Sequence, residues 1–203
     1  VIQIMGNHEI MNLASDYRYV SKQEKGFASP AERHAAFSLY GNYGGRLSHL
    51  MLSHQVSGTV FTHGGITPEW AHRNIHQVNK YASEKLRAYI GQTKTAGNVK
   101  VPSVLGANGP AWYRGYATDP ENMACSTLQR ALDIMGAKRM VVGHTVQDNG
   151  RVLSRCNGRF FVIDVGISRS IKGRQAALEI LPDGTVRAIY PFETVTLVKG
   201  TPA

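Results

Sequence analysis

Cysteine is scarce in this chain, acidic side chains are outnumbered, and long apolar runs are absent. The two cysteines, Cys125 and Cys156, lie far apart and form no CxxC pattern, so neither a zinc knuckle nor a disulfide framework is indicated. We therefore expect two ordinary buried thiols. No apolar run approaches the roughly 20 residues that cross a bilayer, so we expect no membrane span.

The excess of positive charge admits three kinds of partner. With 23 basic and 14 acidic residues the formal net charge is +9, which would suit a nucleic acid, an anionic surface or a phosphorylated substrate. The basic residues are scattered, however, and no aromatic residues are interleaved with them as in a nucleic-acid module. We expect a mildly basic, soluble surface and no nucleic-acid partner. The cellular location is left open, with a slight preference for the cytoplasm.

Short apolar runs alternate with helical periodicity, which predicts an α/β fold. At 203 residues the chain suits one domain over residues 1–203. The glycine- and proline-rich stretch 91–110 is predicted to be a long loop, of the kind that is often functional. Apolar runs predict strands at residues 1–5, 59–62, 139–142 and 160–163, a hairpin at 176–181 and 185–190, and helices at 69–89 and 122–135.

Three predicted strands end in the same way, with a glycine beside a nitrogen- or oxygen-bearing side chain. The first leads through Gly6 to Asn7, the second to His63, and the third to His144. The carboxyl ends of strands in an open α/β sheet converge on one edge, where ligands bind. One such histidine alone is more often a hydrogen-bonded structural residue. Three together favour a site for a divalent metal, held by one amide oxygen and two imidazoles.

The motifs around these residues resemble a known superfamily. "GNHE", "HGG" and "VVGHT", in that order, are similar to the calcineurin-like metallophosphoesterases, in particular the phosphoprotein phosphatase branch. The longer stretches "GNHEIMNL", "FTHGGITPEW", "GPAWYRGYA" and "VVGHTVQDNGRV" resemble the Shewanella-like protein phosphatases, and the resemblance runs over residues 1–169. It implies a metallophosphoesterase β-sandwich flanked by helices.

The resemblance also implies roles for individual residues. Asn7, His63 and His144 would bind one ion of a pair of divalent metals, for which manganese, iron and zinc are all suitable. The pair would activate a water for attack on phosphorus. His8 would be the general acid that protonates the leaving oxygen, and Arg114 would bind the phosphate.

Two carboxylates are weaker candidates for the same site. The resemblance places Glu9 behind the ligands, where it would orient a phosphate-binding arginine or a ligand. Asp164 follows another predicted strand and would either line the pocket near Arg114 or cap a turn. Trp112 and Tyr113 immediately precede Arg114, and we expect Trp112 to pack the loop rather than to contact substrate.

Two motifs of the family are not found in this sequence. These have the forms GDxHG and GDxxDRG, and they supply the ligands of the other metal and the bridging aspartate. The resemblance thus implies that the chain lacks the first strands of the domain and begins at the third metal-bearing strand of a longer enzyme. With one incomplete metal site left, we expect this chain alone to bind metal weakly and to hydrolyse phosphate slowly or not at all.

Three functions follow as hypotheses. The first is a metal-dependent phosphomonoesterase that acts on phosphorylated protein, at phosphotyrosine or at phosphoserine and phosphothreonine, or on a small phosphoester substrate. The second is hydrolysis of dinucleoside polyphosphates, which related enzymes perform on a similar scaffold. The third is an interaction module without activity. The two missing motifs favour the module for this chain, whereas the retention of Asn7, His8, His63, Arg114 and His144 favours an enzyme.

Overall fold

Two β-sheets and a layer of helices make up the structure, a computed structural model that describes residues 1–22, 25–93 and 99–201. The helices are α1 (Asn7–Leu13), α2 (Pro30–Phe37), α3 (Gly44–Leu47), α4 (Pro68–Ala71), α5 (Asn74–Thr93), α6 (Gly115–Thr118) and α7 (Glu121–Met135), with a 3₁₀ turn at Ser103–Leu105. The strands are β1 (Ser53–Val56), β2 (Thr59–Thr62), β3 (Arg139–Val142), β4 (Leu153–Arg155), β5 (Phe160–Val162), β6 (Ala177–Ile180), β7 (Val186–Tyr190) and β8 (Glu193–Val198).

The larger sheet has five strands in the order β1-β2-β3-β5-β4. Its three inner strands are parallel, and the outer strands pair antiparallel with their neighbours. Both faces of the inner strands are covered, because alternate side chains point to opposite sides. Met140 and Phe160 pack into the cluster shared with the helices, while Val141 and Phe161 pack into a second cluster on the other face.

The second cluster joins the two sheets. The three-stranded antiparallel sheet, in the order β6-β7-β8, contributes Val186 and Ala188 to it. Sheets whose inner faces share a core in this way form a β-sandwich. The helices cover the outer face of the larger sheet, where Val78 and Leu86 of α5 and Leu128 of α7 are buried. These layers confirm the predicted α/β sandwich flanked by helices.

Several predicted elements are confirmed, and others differ. Helix α7 ends at Met135, and the following Gly136 has a φ of 60°, the left-handed conformation that favours glycine at a helix C-terminus. Residues 1–5 were predicted as a strand, but among the described residues Ile4 makes only one isolated bridge, to Met51. One isolated residue pair does not make a ladder, which needs consecutive pairs along both strands. The predicted helix 69–89 is two helices, α4 and α5, because Asn74 at the start of α5 adopts a left-handed φ of 51°.

The prediction of two free thiols is wrong. Cys125 and Cys156 form a disulfide, because helix α7 lies over the turn between β4 and β5 and brings the two Cα atoms within 5.2 Å. Both residues are half-buried rather than buried. Of the predicted loop 91–110, residues 91–93 belong to α5, and residues 94–98 lie outside the described part of the chain. In the described ranges no helix has both the length and the apolar character to cross a membrane.

Candidate active site

The three predicted metal ligands meet at one point. Asn7 is the first residue of α1, and His63 and His144 follow β2 and β3. His63 Nε2 lies 2.8 Å from Asn7 Oδ1 and 3.2 Å from His144 Nδ1. A tetrahedral ion with ligand bonds of about 2.0–2.1 Å would hold its donor atoms at a similar separation. The strand ends therefore converge as the sequence predicts.

The environment of His144 fixes which of its nitrogens can bind a cation. Its Nε2 donates to the carbonyl oxygen of Trp112 at 3.1 Å, so the lone pair of Nδ1 faces His63. Burial, reinforced by the positive charge of Arg114, lowers the pKa of His144 to about 3. Burial also lowers the pKa of His63. Both imidazoles are thus neutral near pH 7, the form that ligates metals.

The three candidate ligand atoms have fewer N–H donors among them than lone pairs to satisfy. With the His144 proton on Nε2, at most one N–H, that of His63 Nε2, serves the lone pairs of Asn7 Oδ1 and His144 Nδ1. A buried group of electron-pair donors that share one proton is better satisfied by a cation. On the chemistry of these atoms, the residues fit a divalent metal ion.

The backbone of His144 is strained, and Arg114 holds it. His144 has a φ of 65°, a left-handed conformation that is uncommon for a residue with a side chain. Such conformations cluster at functional sites and persist where the surroundings impose them. Arg114 Nη1 donates to the carbonyl oxygen of His144 at 2.6 Å and to Thr145 Oγ1 at 3.1 Å. The guanidinium therefore lies beside the predicted metal ligand His144, and the Arg114 side chain remains exposed.

Two glycines allow the segments of the site to approach closely. A Cβ on Gly6 would lie 2.9 Å from the His63 ring, and one on Gly64 would lie 2.9 Å from backbone atoms of Trp112 and Tyr113. Both distances are shorter than a carbon can tolerate. The "HGG" motif therefore serves packing: the N–H groups of Gly64 and Gly65 both donate to the carbonyl oxygen of Pro110.

His8 lies at the exposed mouth of the site. Its ring stacks on Tyr19, with centroids 5.7 Å apart and an angle of 16° between the planes. Its carbonyl oxygen accepts from Asn12 Nδ2 at 2.7 Å. Burial is the main cause that lowers the pKa of both His63 and His144, and the neighbouring His8 adds to it.

The two carboxylates have structural contacts here. Glu9 Oε2 accepts from the N–H of Gly6 at 2.8 Å and so orients the start of α1. Asp164 Oδ1 accepts from the N–H of Gly166 at 3.0 Å, which is the turn-capping alternative. Burial lowers the pKa of His63, and the charges of Glu9 and Asp164 oppose that lowering. The contact of Glu9 with a phosphate-binding arginine stays a prediction.

Sequence reasoning missed two contributors to this site. Tyr19 was not singled out, although the "DYRYV" stretch places two aromatic rings shortly after His8. Trp112 was expected to pack the loop. It does so, but its indole also meets the His144 ring edge to face, with centroids 5.6 Å apart. No local pattern links residues so far apart in sequence.

Comparison with known proteins agrees with the resemblance, although no family model matches the chain. The chain is 34% identical over 176 residues to Shewanella-like protein phosphatase 1 of Plasmodium berghei, which covers 83% of the chain. The chain is a relative of the Shewanella-like protein phosphatases. It is also 27% identical to Shewanella-like protein phosphatase 2 of Arabidopsis thaliana over 93% of the chain. An uncharacterized protein of Schizosaccharomyces pombe is 32% identical over 97% of the chain.

Solved structures support the same relation. The cold-active protein-tyrosine phosphatase of a psychrophilic Shewanella species superposes with a TM-score of 0.76 at 25% identity, over 98% of this chain and 59% of that one. A 1.1 Å structure of a cold-active protein tyrosine phosphatase gives 0.75 at 26% identity, over 97% of this chain and 57% of that one. The chain spans 61% of the Schizosaccharomyces pombe protein, 48% of the Plasmodium berghei protein and 59% of the Arabidopsis thaliana protein.

Proposed function

We propose that this chain carries the site of a metal-dependent phosphomonoesterase that acts on phosphorylated protein. The observation that carries the proposal is the meeting of Asn7 Oδ1, His63 Nε2 and His144 Nδ1 beside Arg114 and His8. The names of the Shewanella-like protein phosphatases and the cold-active protein tyrosine phosphatases support the choice of a phosphoester substrate.

Asn7, His63 and His144 are the residues that would hold a divalent cation such as Mn²⁺, Fe²⁺ or Zn²⁺. When bound, such an ion neutralises phosphate charge and makes a water more acidic. The neutral, buried imidazoles would present nitrogen lone pairs to it without competition from protons near pH 7.

Arg114 and His8 would act on the two ends of the reacting phosphoester. Phosphoryl transfer depends mainly on positioning and charge neutralisation, which a guanidinium provides. Arg114 Nη1 donates to His144 and Thr145, and these bonds fix the orientation of the guanidinium. Its other N–H groups can donate to phosphate oxygens. The exposed His8 ring would donate its proton to the departing oxygen.

The described residues supply donors for one ion. Glu121, Cys125 and Cys156 form a further group of potential ligands, but the disulfide occupies both sulfur atoms, so we assign no ion to it. The pair of ions therefore stays a prediction for a longer enzyme. With a single ion, we expect this chain to turn over substrate slowly.

Metal binding is the first test. Titration with Co²⁺, followed by its visible absorption, should show one ion per chain, and Zn²⁺ should displace it. His63→Ala should abolish the absorption band, because a ligand nitrogen is lost. His76→Ala is the matched control, since His76 is exposed on α5, and it should leave the titration unchanged. Equal titrations of wild type and His63→Ala would contradict the ligand assignment.

Hydrolysis of p-nitrophenyl phosphate in excess Mn²⁺ tests the reaction. We expect a slow rate that falls about a hundredfold or more in His8→Ala, the lower end of the range for loss of a general acid, and that is unchanged in His76→Ala. A rate shared by wild type and His8→Ala would refute the role of His8.

The choice of substrate separates the three hypotheses. A phosphopeptide cleaved more slowly than a dinucleoside tetraphosphate would favour the second hypothesis, dinucleoside polyphosphate hydrolysis. Metal binding with no hydrolysis of either substrate would favour the interaction module.

A further inference from the structure

Tyr19 is an exposed aromatic residue placed directly against the proposed general acid. Its ring is nearly parallel to the His8 imidazole, with an angle of 16° and a centroid distance of 5.7 Å. Tyr19 is nevertheless 61% exposed, so much of the phenol faces solvent. A large exposed aromatic side chain at the mouth of a polar site is a surface on which a ligand can pack.

A line of rings connects Tyr19 to the metal ligands. Trp112 lies 6.5 Å from the Tyr19 ring at an angle of 52°, and its indole meets His144 edge to face. The rings of His8, Tyr19, Trp112 and His144 therefore form an aromatic wall along one side of the site. A molecule whose phosphate lies at the metal ligands and whose leaving oxygen lies at His8 would run beside this wall.

Tyr19 also borders two grooves. One, of about 350 Å³, is mainly apolar and is lined by Met11, Tyr89, Leu105 and Trp112. The other contains His8 and has polar side chains such as Asn12 and Ser170 on its walls. Met11 and Asp16 are the other residues shared by both. Tyr19 therefore stands between an apolar surface and the proposed proton donor.

Resting on the proposed function, we propose that Tyr19 is a specificity-determining residue that favours phosphoesters with a flat aryl leaving group. The aryl ring of the substrate packs against the Tyr19 phenol and the edge of Trp112, which places the ester oxygen at His8. An alkyl leaving group has no flat face to offer and gains less from this wall. The contact of Tyr19 with His8 also restrains the imidazole in the direction of that oxygen.

Binding of non-hydrolysable analogues tests this role without relying on turnover. Calorimetric titration of the Mn²⁺-loaded chain with phenylphosphonate and with methylphosphonate gives an aryl-to-alkyl affinity ratio. Tyr19→Leu should lower that ratio about three- to tenfold, the range expected for one aromatic contact, and Tyr19→Phe should retain it. Tyr40→Leu is the matched control, because Tyr40 is 99% exposed, and it should leave the ratio unchanged.

The outcomes separate the inference from the proposed function. An unchanged ratio in Tyr19→Leu, or an equal loss of both affinities, would overturn the specificity role, since the second result means that Tyr19 only supports the site. Absence of binding of both phosphonates to the metal-loaded wild type would overturn the proposed phosphatase site and this inference with it. Melting temperatures of the three variants check that each is folded.

Discussion

Gly64 shows how a single residue sets the distance between two parts of the site. Its position after His63 places it under the segment that carries Trp112 and Tyr113, and its N–H donates to Pro110 at 2.7 Å. A Cβ there would lie 2.9 Å from backbone atoms on that segment, which cannot be relieved by turning a side chain. The glycine is therefore required for the indole of Trp112 to reach His144.

Gly64→Ala should accordingly destabilise the protein. Overpacking against backbone costs about 1–3 kcal/mol of unfolding free energy, measurable by urea denaturation. Gly91→Ala is the control: a Cβ at Gly91, in the exposed last part of α5, meets no atom within 4 Å. It should stabilise the chain by up to about 1 kcal/mol, because alanine is the better helix former. Equal effects of the two substitutions would show that close approach is not the cause.

At this scale the sequence predicted which side chains would meet but not how they would be supported. Asn7, His63 and His144 could be predicted because each lies just after an apolar run, with a glycine beside it. The left-handed φ of His144 and the hydrogen bond from Arg114 to its carbonyl oxygen could not be predicted, because they depend on contacts between segments that are remote in the chain.

At the scale of elements, the turn between β4 and β5 is fastened to the helical layer by two kinds of bond. Arg155 donates through Nη1 to the carbonyl oxygen of Tyr116 and through Nη2 to that of Asp119, both at 2.7 Å. Its Nε pairs with Glu121 at 2.6 Å. The N–H of Cys156, which donates to the same carboxylate, and then Arg155 lower the pKa of Glu121. The disulfide Cys125–Cys156 lies beside these contacts. Helix α6, which begins directly after Arg114, is thereby held from its C-terminal side.

Removal of the disulfide should lower the free energy of unfolding but leave metal binding at the candidate site intact. The bond joins residues 31 apart in sequence, and cross-links closing loops of this length contribute typically about 2–4 kcal/mol. The double variant Cys125→Ser, Cys156→Ser should lose about this much in urea unfolding while still binding Co²⁺. Ser126→Ala, an exposed position on the same helix, should change stability by less than about 0.5 kcal/mol. A double variant as stable as wild type would contradict the prediction.

Elements with their own apolar pattern could be predicted, and those defined by partners could not. Strands β2, β3 and β5 are short buried runs, and α7 has helical periodicity with a glycine at its end. Strand β4, by contrast, has no buried residue, and the run at residues 1–5 finds one bridging partner in the described chain. The disulfide escaped prediction because only the packing of α7 over the turn makes the two cysteines neighbours.

The whole molecule is strongly basic, and two of its histidines add to its sensitivity to acid. Burial holds the pKa of His63 and of His144 below the ordinary value of 6.5. Between that value and the folded pKa, the unfolded chain binds protons at these residues and the folded chain does not. The free energy of unfolding must therefore fall as the pH falls below about 6.5. The net charge of +9 acts in the same direction, because further protonation increases self-repulsion.

Metal-free protein should consequently melt at a lower temperature at pH 5 than at pH 7.5, by at least a few degrees in scanning calorimetry. His144→Asn should reduce this difference, because it removes one buried imidazole while asparagine tolerates the left-handed φ. His76→Ala should leave the difference nearly unchanged, since that side chain is exposed. A melting temperature that rises on acidification would show that the buried histidines are not neutral in the folded state.

The bond between Cys125 and Cys156 has a consequence for where the chain can be made. Disulfides form and persist in oxidising surroundings such as the periplasm, the secretory pathway and the cell exterior, whereas cytosolic glutathione and thioredoxin keep thiols reduced. The disulfide therefore favours an oxidising compartment, whereas sequence reasoning slightly favoured the reducing cytoplasm. We expect protein produced in a reducing cytosol to contain Cys125 and Cys156 as free thiols. Protein exported to oxidising surroundings should contain the disulfide. The redox state of the compartment therefore decides whether Cys125 and Cys156 are covalently joined.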